Sequence, residues 1–245
     1  MRIDIATLFP DMCDTVLSAS ILGRAIRGGA VDIRTHDIRL YTENKHRRVD
    51  DKPYGGGTGM VMQAQPVYDC VMAILAQHRV RPRIIYMSPQ GEVLTQGKVK
   101  ELSEEEGLIL LCGHYEGIDK RVLDELEAEE LSVGDYVLTG GELPALIVAD
   151  SVARLIEGVL PNEDAYSIES HYNGLLEFPQ YTRPEEWRGR RVPETLLSGN
   201  HKAIQEWQER AALEVTLEKR PDMYKRYIEE HSAENKGSRD RKDGR

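Results

Sequence analysis

Apolar and polar positions change rhythm repeatedly along the chain, and those changes mark out elements. Arg2 to Phe9, RIDIATLF, alternates and is rich in apolar side chains, which predicts a strand closed by Pro10. Met12, Val16, Ile21 and Ile26 then predict a helical region that stops at the Gly28 and Gly29 pair. AVDIRTHDI reads as a second strand and PVYDCVMAILAQH as a further helix. Between them, Tyr41 to Gly59 has no apolar period, and an unstructured loop of this length is more often functional than idle.

After Pro82 come three short apolar runs, RIIYMSPQG, LILLCGHYEGID and LSVGDYVLTGG, each strand-like and ending in Gly, Pro and polar residues. Helical stretches lie between them, TQGKVKELSEEE and then IDKRVLDELEAEE, where Ile118, Val122, Leu123 and Leu126 share one face. ELPALIVADSVARLIEGVL reads as the longest amphipathic helix. Strands alternating with helices predict an α/β fold with a mainly parallel sheet covered on both sides. In such sheets ligands sit beyond the carboxyl ends of the strands, where all three glycine-bearing turns fall. PNEDAYSIESHYNG is polar and aperiodic, a linker; HKAIQEWQERAALEVTLEKRPDMYKRYIEE is helical in pattern, and SAENKGSRDRKDGR has the composition of a disordered tail. The expected organisation is an α/β domain over residues 1–160, a flexible linker over 161–173 and a small helical domain with its tail over 174–245.

The 245 residues, 40% hydrophobic, suffice for one large domain or two small ones with real cores. The formal net charge of −10 excludes a globally basic nucleic-acid binder and leaves local basic patches as the route to such a partner. Cys13, Cys70 and Cys112 are isolated and odd in number, which suits a reducing cytoplasm and small core residues rather than a disulfide framework or a zinc site. No apolar run reaches the length of a membrane span. The expectation is a soluble, cytoplasmic protein.

The turns carry the candidate chemistry. No GxxxxGK[ST] occurs, no GxGxxG follows the first strand, and YGGGTGM is followed by neither Lys nor a clear helix. Strand-end turns rich in main-chain N–H and C=O but poor in Lys and Arg suit an uncharged heteroaromatic edge such as adenine better than a polyphosphate. Each turn taken singly is also what an ordinary strand-to-helix connection looks like.

Five motifs in order along the chain extend this reading: VDDKPYGGGTGM (Val49 to Met60), SPQG (Ser88 to Gly91), GHYEGID (Gly113 to Asp119), SVGDYVLTGGELPA (Ser132 to Ala145) and GLLEFPQYTRP (Gly174 to Pro184). Together they resemble the bacterial tRNA (guanine-37-N1)-methyltransferases of the SPOUT superfamily. The resemblance implies a parallel sheet with a deep trefoil knot, a C-terminal helical domain that binds tRNA, and a homodimer with S-adenosylmethionine sites at the subunit interface. The implied activity is methyl transfer to N1 of guanosine 37 in tRNAs with guanosine at position 36. The alternatives are a SPOUT methyltransferase acting on another RNA and a non-catalytic nucleotide-binding module.

By resemblance, Ser132, Val133, Gly134, Tyr136, Leu138, Gly140, Gly141 and Pro144 hold the adenosine half of the donor, and Tyr86, Ser88, Pro89, Gly113, Tyr115 and Glu116 line the rest. A sulfonium is a fixed cation, and the family's magnesium dependence also calls for an oxygen ligand, both of which give Glu116 a reason to be there. Guanine N1 carries a proton at neutral pH, so a base must remove it. The family places an Asp where this chain has Glu169, a departure that lengthens the side chain by one methylene; Glu163 and Asp164 are rivals for the role. Charge developing on O6 calls for a fixed guanidinium, and Arg154 matches the family's catalytic arginine. RNA contacts fall to NKHRR, with Lys45, His46 and Arg47, to YTRPEEWRGRR, with Arg183, and by resemblance to Arg24. Asp50 is suited to accept from a guanine edge. His114 and Gln180 are two further departures, at positions where many relatives carry Arg and His.

Overall fold

The computed structural model describes residues 1–161, 166 and 168–240, and the chain divides into two compact units, Met1–Glu163 and Asp164–Arg245. The first unit is an α/β sandwich. Its sheet takes β1 (Arg2–Thr7), β2 (Asp32–Asp37), β5 (Arg83–Val93), β6 (Gly107–Cys112) and β7 (Glu129–Ser132) in the order β2-β1-β6-β5-β7, every pairing parallel. A separate two-stranded ribbon pairs β3 (Asp50–Asp51) with β4 (Val61–Met62).

Alternation along the strands fills two cores. Ile3 and Ile5, Leu108 and Leu110, and Ile85 and Met87 point to one face, where they meet α1 (Pro10–Leu17), α2 (Ser20–Arg27), α4 (Gln96–Ser103) and α6 (Glu142–Ala153). Ala6, Ile109, Leu111 and Ile84 point to the other, against α3 (Ala64–Leu75) and α5 (Lys120–Glu125). A sheet covered on both faces needs strands that are apolar on both, and every residue of β6, GLILLC, is buried.

Several boundaries differ from the pattern-based expectation. The run after Pro10 forms two helices rather than one region, because the chain breaks at Ser18–Ala19 and re-enters with Ser20 at φ +51°. Pro10 opens α1 as its first residue, where a missing N–H costs nothing. The strand expected over LSVGDYVLTGG ends at Ser132, and the rest is loop. Helix α6 stops at Ala153 and is buried over most of its surface, with Pro144, Ala145, Leu146, Val148, Ala149, Val152 and Ala153 inside and Leu143, Ile147 and Asp150 left exposed. It is neither the longest helix nor strongly amphipathic, since it is packed into the sheet rather than laid on the surface.

The second unit contains the hairpin β8 (Glu186–Trp187) and β9 (Arg190–Arg191), then α7 (Glu194–Leu197), α8 (His201–Lys219) and α9 (Pro221–Asp240). Asn200 caps α8 by accepting from the Ala203 N–H, and Pro221 separates α8 from α9. The buried Thr216 hydroxyl donates to the Ala212 carbonyl at 2.6 Å and accepts from the Leu176 N–H at 2.9 Å, pinning the segment that follows the expected linker onto α8. Phe178 and Tyr181 pack around Trp207. Helix α9 runs on to Asp240, through most of the stretch expected to be disordered. Among the described residues no helix is long and apolar enough to cross a membrane.

Candidate active site

A cavity of about 240 Å³ opens where β6 and β7 end and β5 kinks. The kink is a register shift in which both Met87 and Glu92 pair with Leu131, so residues 88–91 loop out of the strand. The Ser88 hydroxyl donates to Glu130 Oε2 at 2.7 Å and accepts from the Gln90 N–H at 3.2 Å, holding that loop open. Three segments meet there: Tyr86, Ser88 and Pro89 from β5; Gly113, Tyr115 and Glu116 after β6; and Ser132, Val133, Tyr136, Leu138, Gly140, Gly141 and Pro144 after β7.

The third segment is held by close backbone approach. Gly141 N–H donates to the Gly113 carbonyl at 2.9 Å, and His114 and Gly140 form an antiparallel bridge. A Cβ on Gly141 would lie 2.7 Å from Cys112 Cα, so only glycine permits this contact with the end of β6. Gly134 stands off the wall. It has φ +150°, and a Cβ there would fall 2.5 Å from the Tyr136 ring, so its effect is to let that ring lie back over the turn.

The lining includes one carboxylate, Glu116, and no Lys or Arg. Burial raises the Tyr86 hydroxyl above its ordinary value, the Glu130 carboxylate adds to the rise, and a hydrogen bond with the Ile118 backbone offsets part of it. Such a cavity presents main-chain donors and acceptors to a neutral heteroaromatic ring and one negative group to a cation, and repels polyphosphate. Among the described residues no group of three or more His, Cys, Asp or Glu side chains is placed to hold a metal ion, so the magnesium implied by the resemblance finds no protein cluster there.

Sequence reasoning missed Met87, His114, Gly117, Leu131, Val137 and Thr139, which also line the cavity. Most sit inside the quoted motifs, so their neighbours along the chain were the available signal. The His114 ring lies between Phe9, at 5.0 Å, and Tyr115, at 5.4 Å between centroids.

Asp50 does not line the cavity, but the ribbon it belongs to is tied to the segment after β6. Asp50 pairs with Met62, and the Glu116 N–H donates to the Met60 carbonyl at 3.0 Å while the Met62 N–H donates to the Gly117 carbonyl at 2.9 Å. Lys45, His46 and Arg47 are exposed on a tight turn in which Asn44 Oδ1 accepts from the His46 N–H. Arg24 is exposed on α2. Arg154 caps the C-terminal end of α6, its N–H bonded to the Asp150 carbonyl.

Glu169 and Arg183 belong to the second unit. Glu169 is half-buried in a turn, its N–H donating to the Tyr166 carbonyl at 3.2 Å, and Arg183 is exposed beside the hairpin. The rival carboxylates Glu163 and Asp164 lie outside the described residues. Gln180 donates to Glu177 at 2.5 Å.

Known proteins resemble the chain over nearly its whole length. The family described as tRNA (Guanine-1)-methyltransferase TrmD matches residues 1–226. A tRNA (guanine-N(1)-)-methyltransferase of Ruminiclostridium cellulolyticum is 55% identical over 224 residues, covering 91% of this chain and 96% of that protein. Proteins of the same name from Shouchella clausii and Lachnospira eligens are 54% identical, with 93% of both chains covered, and 51% identical, with 96% of this chain and 99% of that one covered. A match of this identity and extent, placed over the cavity just described, shows that the chain belongs to the tRNA (guanine-1)-methyltransferase family TrmD.

Proposed function

We propose that the protein transfers a methyl group from S-adenosylmethionine to N1 of guanosine 37 in tRNAs that carry guanosine at position 36. Membership of the family makes it an S-adenosylmethionine-dependent tRNA (guanine-N1)-methyltransferase. The observation that carries the finer reading is the cavity at the ends of β5, β6 and β7, lined by every residue named for the donor except Gly134. Its volume of about 240 Å³ falls below the usual range of about 300–1,000 Å³ for a whole small-molecule site, as expected if this chain cradles the nucleoside half and other surfaces complete the site.

The bound donor supplies an electrophilic methyl on a sulfonium. Glu169 accepts the N1 proton of guanine, so that the N1 lone pair forms the new bond as the carbon–sulfur bond breaks. Arg154 stabilises the negative charge that spreads to O6. Glu116 favours the cationic donor electrostatically. Asp50 accepts from the edge of the preceding guanosine, and Arg24, Lys45, His46, Arg47 and Arg183 take phosphate.

Three architectural readings accompany this function. A trefoil knot is supported by the route of the chain: β7 pairs with β5, yet the turn after it returns past β5 to dock on the end of β6. A homodimer is supported by exposed apolar side chains four residues apart on α1 and α6, Met12 with Val16 and Leu143 with Ile147, beside exposed Phe9. These are costly to leave in water. The helical unit beyond the linker binds tRNA, and its basic, aromatic hairpin fits that role.

Labelled donor incubated with a tRNA transcript carrying guanosines 36 and 37 tests the function. The product nucleoside should be 1-methylguanosine, and label should vanish when adenosine replaces guanosine 37. Equal label in both transcripts would overturn the site assignment.

A further inference from the structure

A buried carboxylate that no step above uses lies directly behind the donor turn. Glu142, the first residue of α6, is only 3% exposed, and its Oε1 accepts from the Thr7 hydroxyl at 2.8 Å. Thr7, at the end of β1, is fully buried, and its Oγ1 accepts in turn from the Phe9 N–H at 2.9 Å. The other carboxylate oxygen faces Gly140, where a Cβ would fall 2.5 Å from Oε2, and the same Cβ would lie 2.7 and 2.8 Å from Cδ2 and Nε2 of the His114 ring.

For stability alone this arrangement is a poor choice. Burying a carboxylate is costly, and a well-packed apolar side chain of similar size is often as good or better. The first turn of a helix moderates the cost by favouring negative charge. The carboxylate is also felt by both thiols of this core. Burial, and behind it Glu142, push Cys13 up to about 11 and Cys112 well above its ordinary value, so neither competes as an anion. What the pair does geometrically is tie the end of β1, through Thr7 and Phe9, to the start of α6, with Glu142 Oε2 set beside Gly140, the residue that bridges to His114 after β6.

We propose that Thr7 and Glu142 are positioning residues for methyl-donor binding, a buried strut that holds the Gly140–Gly141 turn against the end of β6. The proposal rests on the donor reading of the cavity. The pair itself does not line it: the strut fixes a wall whose own hydrogen-bonding groups are main-chain. Loosening it should weaken donor binding while leaving exposed RNA-binding side chains such as Lys45, Arg47 and Arg183 in place.

Thr7→Val keeps shape and removes the hydroxyl, leaving Glu142 Oε1 and the Phe9 N–H without that partner. Donor affinity of the full-length protein, measured by calorimetry with S-adenosylmethionine, should fall about 10- to 100-fold, the span carried by a lost hydrogen bond to a buried charge. Thr7→Ser should restore it to within a few-fold, and Glu142→Gln, which still accepts from Thr7, should lie between. tRNA affinity without donor should change less than about threefold. Amide exchange at Gly141, whose N–H is bonded to Gly113, should speed up in Thr7→Val even when the remainder of the sheet stays protected.

Parent-like donor affinity in both Thr7→Val and Glu142→Gln would overturn the proposal. So would parallel loss of donor affinity, tRNA affinity and protection across the whole sheet, since that marks a purely structural pair. A parent that binds tRNA but no donor would overturn the donor reading itself and this inference with it.

Discussion

Replacing Gly141 with alanine should detach the donor turn from the sheet. The added methyl would lie 2.7 Å from Cys112 Cα, 2.9 Å from Gly113 N and 3.2 Å from Cys112 C. Unstrained separations are about 3.5–4.0 Å, so the fit is short by about 1 Å. The atoms met are main chain at the end of β6, whose side chains are all buried, so the strand end does not give way and the turn must move. That movement stretches the 2.9 Å bond from Gly141 N–H to the Gly113 carbonyl beyond hydrogen-bonding range. Overpacking costs about 1–3 kcal/mol and the broken hydrogen bond about 0.5–1.5 kcal/mol. A misplacement of about 1 Å in a positioned site typically costs about 10²-fold in function.

Gly140→Ala is the comparator. The nearest atoms to its methyl are side-chain rather than main-chain, Glu142 Oε2 at 2.5 Å and the His114 ring at 2.7 Å, so its effect should run through the buried Thr7–Glu142 pair and leave the Gly141 N–H bonded to Gly113. Calorimetric titration with S-adenosylmethionine and urea unfolding of both variants measure the two effects. Donor affinity in Gly141→Ala within threefold of the parent, with stability unchanged to within about 0.5 kcal/mol, would refute the close-approach argument.

Glu169→Gln keeps shape but cannot take a proton, so methyl transfer should drop about 10²–10⁴-fold with donor binding intact, and a rate within a few-fold of the parent in single-turnover assays would move the base elsewhere. Mixing Gly140→Val with Glu169→Gln protomers after subunit exchange should restore about a quarter of parental activity if sites are shared across a dimer, and no recovery despite proven exchange would refute sharing. On the hairpin, Trp187 is exposed under the Arg188 guanidinium at 5.0 Å, so Arg188→Glu with Arg190→Glu should lower the salt slope of tRNA binding by about 0.7–0.9 for each phosphate no longer neutralised; an unchanged slope would remove the hairpin from the interface. Asp4 is fully buried, and burial raises its carboxyl, but hydrogen bonds from His36, Arg2 and His78 outweigh that and hold it below its ordinary value. A lowered folded value stabilises above about pH 3.9 and is lost as pH falls through the lower folded value. Acid unfolding of Asp4→Asn should therefore begin from a less stable protein and depend less on pH in that window, and parallel curves for variant and parent would sink the idea.

Local pattern was enough for much of this protein. Apolar runs such as IIYM and LILLC required strands buried on both faces, their alternation with helical stretches required a parallel sheet, and glycine-rich strand ends placed the candidate site at the carboxyl edge. The five motifs, read in order, pointed to the family without any tertiary information. Local pattern failed where the deciding force was a long-range contact. DYVLTGG has the composition of a strand but is loop beyond Ser132, because Gly141 docks on β6 rather than extending β7. The stretch from Met12 to Ile26 splits into two helices at a backbone break that its apolar pattern does not encode. Nothing in the local sequence marks Glu142 as buried; only the packing of α6 against the sheet buries it and brings it to Thr7, 135 residues away along the chain. Periodicity records which side of an element faces water. Which buried polar atom meets which is decided by the tertiary approach of segments distant in sequence, and no local pattern carries that.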